Sequence, residues 1–542
     1  MKKYYWLNEE SRIFLSRGYL KENITPEQRI KDIANHAEKI LGIKNFSQKF
    51  EDYMQRGFYS LSTPVWTNFG YERALAISCY GSNVDDTLDS ILNAGREIGM
   101  MSKYGGGTSA YLGNIRPRGA NISTGGKADG PVHYAVMYDT IIDKCKQSDA
   151  RRGACALYLP IEHPDIMDFL DIGIEGNPIQ NLQYAVTVTD DWLHDMINNP
   201  ESPNRKVWAK VLQRRSEFGF PYIMFKDNSN NNTPYKELGL EITASNLCSE
   251  IQLPTDSYSS FVCCLGSINL LHWDEIKNTD AIETYVLFLN AVMEDFIEKS
   301  SKLPGMGRAH KFAKEHRALG LGVLGYHSYL QSKLIEFESL KTKQINHEIF
   351  STLKERSDYA SRWCYEHLGY KCLREGFANT TLLAIAPTKS SSFILGQVSM
   401  GIEPIKSNYF VKDLAKSKSV YKNKILEQEL EKYDLNTPEV WQSILDNDGS
   451  CQHLDFPTKE VFKSFIEISP KELILQAAQR QKFIDQSQSL NLMIHPSVPA
   501  KEINKLYLYA WEEGIKTLYY QFSQSAAQSF ARDINECVAC EA

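Results

Sequence analysis

Asn246-Leu-Cys248-Ser-Glu250 brings together three side chains that can act on a hydroxylated substrate. If the stretch is extended, side chains alternate with a period of two and all three point the same way. An amide, a thiol and a carboxylate converging on one pocket can bind a polyol, accept a proton and perform one sulfur step. The competing reading is a buried cysteine beside two surface polar residues. Further along stands the vicinal pair Cys263-Cys264. Vicinal cysteines rarely bridge each other, so one can face a partner elsewhere, or both can be buried sulfur. Cys537-Val-Ala-Cys540 reads as half a zinc site or as a thiol–disulfide exchange pair. Zinc usually wants four ligands and no second pair lies nearby, so exchange fits better. Tyr519 and Tyr520 are adjacent on a predicted strand, where packing across strands is the ordinary use of such a pair. Pro387-Thr388-Lys389-Ser390-Ser391-Ser392 offers hydroxyls and, at a helix entrance, free backbone N–H groups for a phosphate. A turn or helix cap is the commoner use of such a loop.

These residues need a large scaffold. The chain has 542 residues, 42% hydrophobic and 11% aromatic, which excludes disorder as the overall state and allows several domains or one oversized barrel. A net charge of −7 leaves no global footprint for nucleic acid or anionic lipid, although small anions need only local positive groups. No apolar run is long enough to cross a bilayer, and the start is not an apolar secretory core, so a cytoplasmic protein is expected. Eleven cysteines then argue for reduced thiols rather than a disulfide framework. The twelve histidines are scattered, with no Glu-x-x-His pairs on facing helices, so no metal site is expected in this chain.

Thr25 caps a helix that begins at Pro26. Residues 86–103 predict an amphipathic helix with Leu88, Ile91, Leu92 and Ile98 on one face, stopped by Gly105-Gly106-Gly107. Residues 184–189 alternate like a strand. Helical patterns follow at 280–300, 310–331, 343–368, 471–486 and 501–513, with β-rich runs at 221–225, 381–386 and 515–520. Strands alternating with helices predict an α/β architecture with parallel pairing. Residues 405–465 read as a solvated surface insertion rather than a binding patch.

Taken in order, these motifs carry a resemblance. Asn-Leu-Cys-x-Glu-Ile-x-Leu-Pro followed by Cys-x-Leu-Gly-Ser-Ile-Asn-Leu resembles the active-site finger loop of ribonucleotide reductase large subunits. Thr63-Pro-Val and Ser78-Cys79 look like the first strand of that family's barrel, and 145–154 its specificity loop. Residues 387–392 through Gly401-Ile-Glu-Pro resemble its substrate-phosphate loop, and Lys516-Thr-Leu-Tyr-Tyr-Gln its class I radical-transfer strand. The resemblance implies a ten-stranded α/β barrel, two parallel five-stranded halves packed antiparallel, with outer helices and a central finger loop. It divides the chain into a helical region (1–60), a catalytic barrel (61–521) and a flexible redox tail (522–542).

It also implies roles. Cys248 would be the thiyl radical, Glu250 the base and Asn246 the sugar-orienting amide. Cys79 and Cys263 would be the reductants, with Cys264 competing for the second place. Tyr519 and Tyr520 would pass the radical. Thr63, Ser78, Pro387, Thr388, Lys389, Ser390 and Ser391 would bind substrate, and Asp86, Arg116 and Arg151 would serve a deoxynucleotide or ATP effector. Cys537 and Cys540 would exchange with thioredoxin or glutaredoxin. The implied partners are a second copy of the chain and a small subunit whose diiron or dimanganese centre supplies the radical. The chain starts almost at the family core, without the ATP-cone domain of many relatives, and looks compact and phage-like, which would put it in a host cytoplasm. An adenosylcobalamin-dependent class II enzyme is the runner-up, disfavoured by Tyr519-Tyr520. A redox-regulated nucleotide-binding protein is the alternative of another kind. Cys248→Ser should bind substrate yet give no turnover, because an O–H bond is too strong to carry the radical. Measurable turnover in that variant contradicts the assignment.

Overall fold

A computed structural model of the chain describes residues 4–123, 125–145, 153–414 and 417–523. Three helices, α1 (Glu9–Ser16), α2 (Pro26–Leu41) and α3 (Phe46–Gln55), precede the body. The Thr25 side chain accepts from Gln28 N at the start of α2, as its cap position predicts. A short strand β1 (Tyr59–Leu61) and helix α4 (Thr63–Asn68) follow. Thr63 therefore opens a helix rather than lying on the first barrel strand, because Pro64 suits the first helical turn.

The body is a barrel. β2 (Cys79–Asn83), β3 (Gly107–Tyr111), β4 (Cys155–Pro160), β5 (Gln183–Val188) and β6 (Tyr222–Phe225) pair parallel in that order. β7 (Phe261–Asn269) runs antiparallel to β2, and β8 (Leu319–Leu324) lies parallel to β7. The ring continues through parallel bridges from Leu321 to Leu383 and from Ile385 to Gln488. Leu492–Met493 then pairs parallel with Gln521–Phe522, and Thr517–Leu518 closes antiparallel onto β6. Each half thus holds five strands, and the halves meet antiparallel at two seams. Every residue of β2, β3, β5, β6, β7 and β8 is buried, as expected for strands covered on both faces.

Three local expectations change. The pattern over 310–331 is a helix (Gly307–His316), then β8, then a second helix (Tyr326–Ser332). Arg317 ends the first helix in the left-handed region, at φ 46. Gly320 and Gly322 belong to a strand because no side chain fits there: a Cβ on Gly322 would lie 2.5 Å from Ala384 O. In helix α5 (Leu88–Lys103), Ile91 and Ile98 are buried with Ala94 and Met101, but Leu88 and Leu92 are 61% and 53% exposed. Residues 405–465, read as a solvated insertion, hold a core of their own in which Leu426, Leu430, Trp441, Ile444, Phe456 and Phe462 pack together.

Because the neighbour of Gly322 is a backbone carbonyl that cannot swing aside, Gly322→Ala should cost about 1–3 kcal/mol. Gly307→Ala, where nothing lies within 4 Å, is the control. Denaturant melts should separate the two, and equal midpoints would refute the close approach of β8 to its parallel neighbour at Ala384.

Candidate active site

The finger loop is not extended. Ser245 and Gln252 form an antiparallel bridge, and Ser249 turns the chain with φ 66, so residues 245–252 fold back on themselves. Asn246, Cys248 and Glu250 therefore meet at a turn rather than by strand alternation. Inside the loop, Asn246 Oδ1 accepts from Ile251 N at 3.1 Å, and Ser245 Oγ donates to Ile251 O at 2.6 Å. Both barrel halves then grip its carbonyls. Tyr158 OH on β4 donates to Asn246 O (2.7 Å), Thr517 Oγ1 to Ser249 O (2.8 Å) and Ser487 N to Glu250 O (2.9 Å). Ser489 Oγ lies 2.6 Å from Cys248 O and 3.2 Å from Glu250 Oε2.

Cys79 and Cys263 stand directly opposite each other across the β2–β7 seam. Opposed antiparallel residues have Cα atoms about 4.5–5.5 Å apart, inside the range a disulfide needs. Asn246 Nδ2 donates to Cys79 Sγ at 3.2 Å, so the loop touches this pair, and Gln486 Nε2 approaches Cys263 Sγ at 3.6 Å. Cys264 falls on the other face of β7. Its neighbour there is Tyr285 of the helix Ala281–Ser300, whose hydroxyl also crowds Gly266 on the same face. None of the nine cysteines among the described residues is in a disulfide.

Burial dominates the electrostatics. Glu250 is 1% exposed, and burial pushes its carboxyl up to about 7 against the pull of its backbone, Asn246 and Ser489 hydrogen bonds. Burial likewise raises the Cys263 thiol well above its ordinary value, partly offset by Gln486. Both groups are neutral in mildly acid solution.

Tyr519 and Tyr520 are in ring contact, with centroids 4.4 Å apart. Tyr222 on β6 touches both, at 4.7 and 5.1 Å. Arg215 of the helix Asn204–Phe218 holds the pair from behind by donating to Tyr519 O at 2.9 Å. Asn491 Oδ1 accepts from Tyr520 N at 3.0 Å, while Asn491 Nδ2 donates to the buried Glu403 at 2.5 Å.

The loop at 387–391 lies at the start of the helix Lys389–Ile394, with Thr388 in the left-handed region at φ 55. Thr388 Oγ1 accepts from Gly401 N at 2.8 Å, which ties the loop to Gly401-Ile-Glu-Pro. Thr388 and Ser390 are buried, while Pro387, Lys389 and Ser391 are half-buried. Thr63 Oγ1 donates to Tyr19 OH at 3.2 Å. The buried Ser78 hydroxyl has no hydrogen-bond partner among the described residues, and a buried polar group of that kind calls for an explanation such as a ligand. Asp86 and Arg116 are brought together as an ion pair, Nε to Oδ2 2.6 Å, at the surface. Arg151, Cys537 and Cys540 lie outside the described residues.

Sequence reasoning missed Tyr158, Tyr222, Gln486, Ser489 and Thr517. One signal was available: Gln486-Ser-Gln-Ser489 is a polar run in which every residue is buried. Among the described residues no group of three or more His, Cys, Asp or Glu side chains could hold a metal, and no helix is long and apolar enough to cross a membrane.

Comparison with known proteins bears on the family and on the barrel. The family model described as ribonucleotide reductase, barrel domain, matches residues 77–202, 193–363 and 354–521. A ribonucleoside-diphosphate reductase large subunit of Invertebrate iridescent virus 3 is 31% identical, over 97% of each chain. A ribonucleoside-diphosphate reductase subunit alpha of Chlamydia muridarum is 28% identical over 88% of this chain and 55% of its own. Among solved structures, the Actinobacillus ureae class Id ribonucleotide reductase alpha subunit superposes with a TM-score of 0.92, at 51% identity, covering 98% of this chain and 99% of that one. A barrel match spanning residues 77–521, a viral relative matched over 97% of each chain and a near-complete superposition converge: the chain belongs to the family of ribonucleotide reductase large subunits.

Proposed function

We propose that the chain reduces ribonucleoside diphosphates to 2′-deoxyribonucleotides, supplying DNA precursors, by thiyl-radical chemistry of the class I type. The opposition of Cys79 and Cys263 beside the Cys248 loop is the observation that supports this reading most strongly. A Cys248 thiyl takes the hydrogen atom from C3′ of the sugar, and Glu250 accepts the 3′-hydroxyl proton. Asn246 orients the same sugar edge. The 2′-hydroxyl leaves as water after protonation. Cys79 and Cys263 together give up two electrons and two protons and close a disulfide, and Cys248 returns its hydrogen to C3′. The net change is one ribonucleotide and two thiols to one deoxyribonucleotide, one disulfide and one water.

Tyr519 and Tyr520, packed with Tyr222, form the path by which Cys248 is oxidised and re-reduced. A separate small subunit with a diiron or dimanganese centre supplies the oxidising equivalent. Residues 387–391 receive the substrate phosphates, with Thr63 and Ser78 nearby. Asp86 and Arg116 open to receive a deoxynucleotide or ATP effector, with Arg151 reaching toward the substrate base. The exposed apolar side chains Leu88 and Leu92 of α5 and Val136 of α6 (Pro131–Lys144) offer the surface on which two copies pair. Cys537 and Cys540 carry reducing equivalents from thioredoxin or glutaredoxin in the cytoplasm.

The direct test is CDP reduction by the full chain with a dimetal small subunit, without it, and with adenosylcobalamin instead. Turnover only with the small subunit supports the proposal, whereas turnover with adenosylcobalamin alone overturns its class I part. The same assay reads Glu250. Its carboxyl sits at about 7, so the ionised base becomes more abundant as pH rises. kcat/KM should climb between about pH 6 and 8, and Glu250→Gln should lose at least about a hundredfold. A flat profile with an active Gln variant contradicts the base assignment.

A further inference from the structure

The stretch before α2 has no role so far, yet it touches both walls of the site assigned to substrate. Trp6 Nε1 donates to Met54 O at 2.9 Å, which pins the stretch to α3. Asn8 caps α1 by accepting from Ser11 N at 2.8 Å. From that anchor α1 reaches the back of the helix Lys389–Ile394. The Phe14 and Phe393 rings lie 5.1 Å apart, inclined by 48°. Gln397 Nε2 donates to Glu10, and a Cβ on Gly396 would come within 3.9 Å of the Trp6 backbone. On its other side Phe14 packs on Tyr19 at 5.2 Å, and the Tyr19 hydroxyl accepts from Thr63 Oγ1 at 3.2 Å.

One short stretch therefore connects α4, which carries Thr63, to the loop that carries Thr388, Ser390 and Ser391. That loop needs outside support. Thr388 is β-branched and sits at φ 55, a conformation that persists only where its surroundings over-determine it. From inside, Gly401 N donates to Thr388 Oγ1 and Ser392 Oγ to Thr388 O at 2.7 Å. From outside, Phe393 of the same helix rests on Phe14. Phe14 is half-buried and Tyr19 is 7% exposed, so the Phe14–Tyr19 pair is a packed joint rather than a surface contact.

We propose that residues 6–19 brace the phosphate end of the substrate site, with Phe14 and Tyr19 as positioning residues that hold the 387–391 loop and Thr63 at a fixed separation. The inference rests on the assignment of 387–391 to the substrate phosphates. Phe14 and Tyr19 do not touch the nucleotide: they set where its ligands stand.

The test is equilibrium binding of CDP to the full chain, followed by steady-state kinetics with the small subunit. An aromatic pair beyond simple area burial corresponds to about a three- to tenfold change in affinity. Phe14→Ala should raise the CDP dissociation constant and KM by that factor. It should leave kcat and the affinity for a deoxynucleoside triphosphate effector within about twofold. Phe14→Tyr should restore CDP affinity. Should Phe14→Ala fail to fold, Tyr19→Phe, which removes a single oxygen, carries the test with an expected loss of about threefold. A Ser390→Ala/Ser391→Ala double variant separates the two claims. If it binds CDP as the parent does, the phosphate assignment falls and the brace with it. If it binds weakly while Phe14→Ala or Tyr19→Phe binds like the parent, the brace alone is overturned.

Discussion

An antiparallel seam between two parallel half-barrels is the constraint on which the site depends. Parallel neighbours in one half are reached through long crossovers, and they present their residues in slanted register. Only at a seam do two residues stand squarely opposite, and the β2–β7 seam places Cys79 against Cys263. The same seam carries Gly81 opposite Phe261, and a Cβ on Gly81 would collide with that ring at 2.1 Å. The spacing that lets two thiols meet is therefore maintained by a packing contact two residues away on each strand. Cys264 lies next along β7 and is excluded by the pleat itself, because successive side chains leave a strand on opposite faces.

The finger loop is held to this seam by many modest interactions rather than one strong one. Its carbonyls accept from Tyr158, Ser487, Ser489 and Thr517, which come from three strands of the barrel. Each such bond contributes only about 0.5–1.5 kcal/mol net, but an orphaned buried carbonyl costs about 1–3. The loop has few alternative positions for that reason. Glu250 shows what the site costs. Moving its carboxyl from 4.5 to about 7 corresponds to roughly 3 kcal/mol against the ionised form. Below about pH 7 the carboxyl is mostly protonated, and it ionises close to neutrality, where a base is useful.

The residues of the candidate site were more legible in the sequence than the architecture that gathers them. Asn246, Cys248 and Glu250 lie within one short motif, and Cys263 follows in another, so contiguous spelling exposes them. The barrel strands were harder. β7 and β8 are buried throughout, so they lack the alternation that marks a half-exposed strand, and β8 with its two glycines continued a helical pattern on either side. Leu88 and Leu92 followed helical periodicity correctly but lie on an exposed edge of the helix, since periodicity marks an apolar face without saying what covers it. Tyr158 carried no local signal, and Gln486 and Ser489 showed only as part of a polar run that names no partner. Each meets the finger loop or its cysteine partner across a long stretch of chain, and no local pattern encodes that contact. The core within 405–465 was hidden by the lysines around it.

Everything proposed for the reaction turns on whether the opposed thiols are the electron source. A single turnover settles this. A Cys537→Ser/Cys540→Ser variant, whose tail cannot re-reduce the pair, is fully reduced, freed of external thiol, mixed with CDP, effector and the small subunit, quenched with an alkylating agent, digested and examined by mass spectrometry. The account predicts one Cys79–Cys263 disulfide for each deoxynucleotide formed, with Cys264 and Cys248 recovered as alkylated thiols. Deoxynucleotide formed while Cys79 and Cys263 remain alkylated thiols, or a disulfide that contains Cys264, would contradict it.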